Sequence, residues 1–220
     1  IDRMVAESVP GLRLLTEEER RASLAGLMAH RPDTGEGAWV FAYGSLIWNP
    51  AIHYAERRFA RVYGWHRTFC LSTIAGRGSP DLPGLVLGLD RGGACAGAAF
   101  RIAEECLEEE LPILWRREML SGSYRPRWVT VRDEAGAPFG QAIAFTIRRA
   151  GTYYAGQLAE DEIVRRLAQA RGALGSSAEY LFQTRDGLRS LGIVDRRIER
   201  LAAQVEGMLR ACQTGSVSSA

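Results

Sequence analysis

The chain has 220 residues, 46% hydrophobic and 25% charged, with a formal net charge of +2; this is ordinary globular material, long enough for one substantial core, and it reads as one domain. Basic and acidic residues are interspersed, so the positive stripe that a phosphate backbone demands is missing and nucleic acid is not an expected partner. Every basic side chain is arginine, because the sequence contains no lysine, which excludes a Schiff-base lysine for a pyridoxal cofactor, a phosphate-loop lysine and a Ser-Lys dyad.

The opening "IDRMVAESVP" carries two acids and no apolar signal core, and no run approaches the roughly eighteen apolar residues of a membrane span. The expectation is a soluble, unexported, cytoplasmic protein with no membrane partner. In "LTEEERRASLAGLMAH", Thr16 stands three residues before Glu19, a capping-box spacing, and Leu24, Leu27 and Met28 follow at helical intervals. Residues 1–37 are therefore read as a helical extension, broken by the Pro, Asp and Gly of "RPDTGEG". Strand-like runs follow: "WVFAY", "ARVYGWHRTFCLS", "GLVLGL", "CAGAAFRI", and later "RWVTVR" and "GQAIAFTI".

The first of these runs ends unusually, in "VFAYGSLIWNP". Gly44 can take backbone angles closed to other residues, so the amides after it can turn into a concave donor cluster suited to an anionic or carbonyl oxygen. An ordinary strand end with a tight bend is the commoner explanation of such a pattern. Between the fourth and fifth runs lies "AEECLEEELPILWRREM", helical in composition, with Pro112 expected to end or kink it. After Gly156 the pattern changes to helices only: Ser176 and Glu179 form a second capping box, Gly192 marks a helix stop, and Asp195 caps a last helix with Ile198, Leu201, Val205 and Met208 on one face. The domain should extend over 38–212, and 213–220 should be a frayed tail. Short strands with few intervening helices and a helical C-terminal part argue for an α+β fold, a mostly antiparallel sheet or barrel flanked by helices.

Few residues are equipped for chemistry. Ser45 follows Gly44 but lacks the G-x-S-x-G elbow, and only His30, His53 and His66 exist as bases. Those three histidines show no metal-ligand spacing, and Cys70, Cys95, Cys106 and Cys212 form no C-x-x-C, which suits free thiols better than a zinc site or disulfides. No glycine-rich nucleotide fingerprint occurs, so neither metal nor cofactor is expected. The acidic "EECLEEE" reads as a solvated helix face. Glu118 lies between Trp115 and Met119 and ahead of "LSGSYRP", where apolar neighbours can desolvate it and raise its pKa. Taken alone, an Arg-Glu helix pair with Arg116 or Arg117 is the commoner explanation.

Together, "VFAYGSLIWNP", "GWHRTFCLSTIAGRGSPDLPGLVLGL", "LWRREMLSGSYRPRWV" and "YYAGQL…GSSAEYLFQT" resemble the ChaC family of glutathione-specific γ-glutamylcyclotransferases, in family order over residues 38–210. The resemblance implies a small mixed β-barrel with surrounding helices, and a reaction that converts glutathione to 5-oxoproline and cysteinylglycine without metal or cofactor. It further implies that Val40, Phe41, Ala42, Tyr43, Gly44, Ser45 and Leu46 line the pocket for the γ-glutamyl group. The family's Arg-Glu-x-x-x-Gly-x-Tyr segment falls on Arg117, Glu118, Gly122 and Tyr124, so Glu118 becomes the general acid/base and Tyr124 a substrate neighbour. Tyr154 matches the aromatic of the family's Tyr-x-Gly segment and is expected to close over the substrate, with a core tyrosine as the simple alternative. Two positions depart from the pattern: Ala42 replaces the usual glycine, and "RRAGTYY" replaces His-Pro or Asn-Pro ahead of Tyr154. A cyclotransferase for other γ-glutamyl amines or dipeptides and a non-catalytic glutathione-binding module are the rival readings. The oligomeric state is left open, a monomer being compatible with the sequence.

Overall fold

A computed structural model describes residue 9 and residues 12–32 and 35–217. Strand β1 (Ala38–Ala42) is buried at every position, the pattern of an apolar run with both faces covered. It pairs antiparallel with β3 (Gly84–Ile102) and parallel with β5 (Pro138–Ile147). With β2 (Glu56–Thr73) and β4 (Tyr124–Arg132) the order is β1-β3-β2-β4-β5, closed into a barrel. Parallel pairing is confined to β1 with β5 and β3 with β5, so the barrel is mixed and mostly antiparallel, as expected. Closure satisfies the backbone groups that an open sheet leaves at its edges.

The two strands expected from "GLVLGL" and "CAGAAFRI" are one 19-residue strand, β3. Gly92 and Gly93, at φ of 102° and 70°, bend it opposite the register shift between Tyr63 and Trp65 in β2. What resembled a turn in sequence is thus a kink inside a continuous ladder.

Helix α1 (Glu17–Met28) begins at the expected capping box of Thr16 and Glu19. It packs on α2 (Leu107–Glu118), where the Trp115 indole N–H donates to Ser23 Oγ at 3.3 Å, and on β4, where that of Trp128 donates to Leu27 O at 3.0 Å. Helix α2 does not end at Pro112 but continues to Glu118. Proline in a helix interior costs about 3 kcal/mol. Leu107, Leu111, Leu114 and Trp115 lie buried on both sides of it, each stabilising by about 1.5–3 kcal/mol, so packing outweighs the lost backbone bond.

The C-terminal part holds α3 (Glu160–Gln169), α4 (Ser177–Arg189) and α5 (Arg196–Val217). The expectation of helices alone is corrected by a hairpin of β6 (Arg171–Gly172) and β7 (Gly175–Ser176), too short to leave an alternation signal. Ser176 and Glu179 form the expected capping box, and Asp195 Oδ1 accepts from the Arg197 and Ile198 amides. Gly192 adopts φ 71° beyond the end of α4, as its stop role requires. Of the tail assigned to 213–220, α5 reaches Val217 and 218–220 lie outside the described residues. Among the described residues no helix is long and apolar enough to cross a membrane.

One buried cation ties these layers together. The Arg67 side chain on β2 is 4% exposed. It donates to Asp195 Oδ2 at 2.8 Å, to Tyr43 O at 2.7 Å, and to Ala96 O. The start of α5, the end of β1 and the middle of β3 therefore share one guanidinium. Removing one member of a buried pair leaves the other charge uncompensated, at a cost of about 3–5 kcal/mol. Arg67→Met should lower the unfolding free energy by about that amount in urea titration. Asp195→Asn, which keeps an oxygen for the helix cap, should lower it by less.

Candidate active site

Beyond β1 the chain bends at Tyr43 and Gly44 into a 3-10 turn, Ser45–Ile47. The sequence suggested that glycine is needed here for its backbone freedom, and its φ of −140° and ψ of −128° are neither helical nor extended. Room is a second constraint. A Cβ on Gly44 would stand 2.9 Å from the Tyr180 hydroxyl and 3.6 Å from the Leu87 side chain. Tyr180, from α4, accepts the Leu87 amide at 3.4 Å and also the Ser45 amide. Part of the donor cluster expected at the bend is therefore already engaged by a phenol.

Glu118 is the last residue of α2, and the Gly122 backbone, at φ 66°, turns the chain from there into β4. Its side chain is 12% exposed and its Oε1 lies 3.0 Å from Arg117 Nε. The same guanidinium donates through Nη2 to Ser45 Oγ at 3.0 Å and through Nη1 to Asn49 O. Arg117 thus joins the acid to the turn after the glycine bend. The two readings of Glu118 are both realised, since it is paired with Arg117 and partly desolvated. Burial raises its pKa above the ordinary carboxylate value, and the Arg117 charge and hydrogen bond oppose that rise without cancelling it.

Three tyrosines enclose the acid. Tyr43 donates to Phe145 O at 2.7 Å and Tyr124 to Leu87 O at 2.8 Å. Burial pushes all three phenols up, Tyr180 to about 12, and the Glu118 charge adds to each rise. At neutral pH they are protonated, fixed dipoles around one carboxylate. Such a carboxylate accepts a proton from an ammonium group more readily than a solvated one.

Two connected spaces adjoin it. An inner recess of about 20 Å³ is lined by Tyr43, Gly44, Leu46, Glu118, Tyr124 and Tyr180, room for a water-sized group. An outer cleft of about 400 Å³ shares Ser45, Glu118, Tyr124 and Tyr180 with it and extends to Arg77 and Tyr153, the scale of a small-molecule site. Residues 74–77, after β2, form part of its wall. Arg166 of α3 anchors the far end of that loop, donating to Pro83 O at 2.8 Å, Gly84 O at 3.0 Å and Ser72 Oγ at 2.8 Å.

Of the residues expected at the site, Tyr43, Gly44, Ser45, Leu46, Glu118 and Tyr124 come together. Val40, Phe41 and Ala42 do not line it: each is fully buried in β1 and packs in the core, because the strand is enclosed before the bend opens. The extra methyl of Ala42 accordingly meets no part of the cleft. Tyr154 is committed elsewhere, bridging to Leu71 and donating to Asp90 Oδ2 at 2.9 Å. Its neighbour Tyr153 lines the cleft instead. The linking role of Arg117 and the presence of Arg77, Tyr153 and Tyr180 were not foreseen. A tyrosine at apolar spacing in a helix, like Tyr180, carries no signal that distinguishes site from core. His30 and His53 are exposed and His66 contacts Gly92 O, away from the cleft. Among the described residues no group of three or more His, Cys, Asp or Glu is placed to hold a metal.

Residues 38–208 match the family model described as ChaC-like protein. The chain is 41% identical over 196 residues to the glutathione-specific gamma-glutamylcyclotransferase of Escherichia coli (strain K12), covering 89% of this chain and 84% of that one. It is 32% identical over 192 residues to glutathione-specific gamma-glutamylcyclotransferase 1 of Mus musculus, covering 83% and 85%. A crystal structure of a gamma-glutamyl cyclotransferase specific to glutathione from yeast superposes with a TM-score of 0.72 at 22% identity, over 78% of this chain and 96% of that one. That likeness shows the barrel-and-helix fold to be shared. With the family model covering all of the barrel and most of the C-terminal helices, the chain belongs to the ChaC family.

Proposed function

We propose that the protein degrades glutathione by intramolecular cyclisation of its γ-glutamyl group, releasing 5-oxoproline and cysteinylglycine, with Glu118 as general acid/base. The observation that carries this reading is the Arg117 bridge, which holds the Glu118 carboxylate and the Ser45 turn as one unit at the cleft floor. The names of the relatives supply the substrate class. The glutamyl α-ammonium gives a proton to Glu118, and the freed amine attacks the γ-carbonyl carbon of the same molecule. The new C–N bond closes a five-membered ring as the bond to the cysteinyl nitrogen breaks. Glu118 returns the proton to that departing amine, and the second proton, which the ring nitrogen gives up as it becomes the lactam amide, passes to the same amine, so that cysteinylglycine leaves as an ammonium. The nucleophile belongs to the substrate, so the protein chiefly holds the glutamyl chain in near-attack geometry. Tyr180, whose hydroxyl accepts the Leu87 and Ser45 amides and keeps its own hydrogen to donate, is the donor for the oxygen that gains charge.

All of these groups come from one chain, so a monomer suffices. We also place the reaction in the cytoplasm: Cys70, Cys95, Cys106 and Cys212 carry free thiols, which suits a reducing compartment. The cysteinylglycine part of the substrate extends along the outer cleft toward Arg77. That guanidinium is held only by long contacts, 3.3 Å to Ser176 O and 3.4 Å to Glu179 and Gln183, and so is available to the terminal carboxylate.

Glu118→Gln should reduce 5-oxoproline release from glutathione by about 10²- to 10⁴-fold with the fold intact; near-normal turnover would remove the acid/base assignment. Arg77→Gln should raise the KM for glutathione about tenfold. The same change should leave the KM for the glycine-amide analogue of glutathione, which lacks the terminal carboxylate, as it is in the unmodified protein; an equal rise for both compounds refutes this role. Burial of Glu118 also has a pH signature. Its folded-state pKa lies above the ordinary 4.5, so the folded protein retains a proton that the unfolded chain has released. The stability that this proton contributes is complete below 4.5 and is lost as pH climbs through the raised value. The Tm of the unmodified protein should therefore fall relative to that of Glu118→Gln across this window, and a constant difference would contradict a desolvated carboxylate.

A further inference from the structure

Tyr124 also borders a second cavity, of about 600 Å³, which shares no other lining residue with the recess or the cleft. Five arginines line it, Arg91, Arg125, Arg127, Arg148 and Arg149, against a single acid, Asp90. Asp90 is already saturated: its Oδ1 lies 2.6 Å from Arg149 Nε and accepts the Arg91 amide at 2.8 Å, and its Oδ2 accepts the Tyr154 hydroxyl at 2.9 Å. Among the described residues the other four guanidiniums form no ion pair.

Topology concentrates these charges. Arg125 and Arg127 are two apart on β4, facing Thr146 and Ala144 of β5, so they project to one side of the sheet. Arg148 and Arg149 follow directly after β5, and Arg91 comes from the kink in β3. Arg127 is the least comfortable member. Its Nε is buried without a hydrogen-bond partner, and its guanidinium lies 5.8 Å from the Trp65 ring centroid. Desolvation, together with the charges of Arg125 and Arg91, disfavours its ionised form. A half-buried cation with a buried, unpartnered N–H and flanked by like charges is held at a cost that an oxyanion in the cavity would offset.

We propose that this cavity binds a compact polyanion with two or more linked phosphate groups, held chiefly by Arg125, Arg127 and Arg148. Guanidinium groups meet phosphate oxygens through paired N–H donors. An excess of four positive charges in one cavity is matched by an oligophosphate and not by a monovalent ion. Glutathione, with two carboxylates and one ammonium group, carries a single net negative charge and has its own place in the cleft.

Calorimetric titration of the full chain with tripolyphosphate tests the site, with sulfate at matched ionic strength as the control. Tripolyphosphate should bind at least about tenfold more tightly than sulfate. The double variant Arg125→Ala/Arg148→Ala changes two exposed side chains and should weaken tripolyphosphate binding by about tenfold or more, with circular dichroism unchanged. The single variant Arg148→Glu, outside any strand, gives a second readout should the double variant lose stability. Arg77→Gln should bind tripolyphosphate as the unmodified protein does, which separates this cavity from the cleft. ATP titrated without magnesium distinguishes the source of the phosphates: equal affinity assigns the site to a bare phosphate chain, and tighter binding to a nucleotide. Sulfate binding as tightly as tripolyphosphate overturns the proposal. So does loss of binding in Arg77→Gln with retention in the double variant.

Discussion

The proposed chemistry depends on one guanidinium reaching between two elements. Arg117 and Glu118 end a helix, whereas Ser45 and Asn49 belong to the turn after the first barrel strand, and more than sixty residues separate them in the chain. By touching Glu118, Ser45 Oγ and Asn49 O together, Arg117 joins two independently placed segments at one side of the cleft. An acid positioned by a lone side-chain rotamer would wander by more than a proton transfer tolerates, and near-attack geometry is lost with displacements of about 1 Å. The bridge also sets the electrostatics. Its positive charge opposes the rise that burial imposes on the Glu118 pKa, leaving a carboxylate more basic than a solvated one.

The barrel makes that bridge possible by holding the bend still. Tyr43, immediately before Gly44, is fixed at both ends of the residue: its carbonyl accepts from buried Arg67 and its hydroxyl donates to Phe145 O. Arg67 in turn leans on Asp195, the cap of the last helix. A chain of charge-assisted and neutral hydrogen bonds therefore runs from the C-terminal helix through the core to the glycine bend. The buried tyrosines complete this frame. Their phenols are held protonated by desolvation, so they act as oriented dipoles and not as competing bases.

Local signals in the sequence served best where a short segment settles its own structure. The capping boxes at Thr16 and Ser176, the Asp195 cap and the Gly192 stop appear where they were expected, because each depends on residues three or four apart. Apolar runs located the barrel strands for the same reason, although Gly92 and Gly93 read as a break when they are a bend. Pro112 misled in the opposite direction, since its local cost is real but smaller than the burial of the helix around it.

Sequence alone determined that this chain has an early strand ending in a glycine bend, a segment of helical composition carrying Arg117 and Glu118, and the ordered motifs of the ChaC family. These are properties of neighbours along the chain, and of patterns preserved in linear order. Tertiary structure decided that Val40, Phe41 and Ala42 belong to the core, that Tyr153 and not Tyr154 reaches the cleft, and that Tyr180 fills the space a side chain on Gly44 would need. It also decided that five arginines from three strands and their ends gather around one cavity. Each of these facts concerns which residues share a volume after the barrel closes, and closure pairs segments whose separation in sequence carries no record of their distance in space.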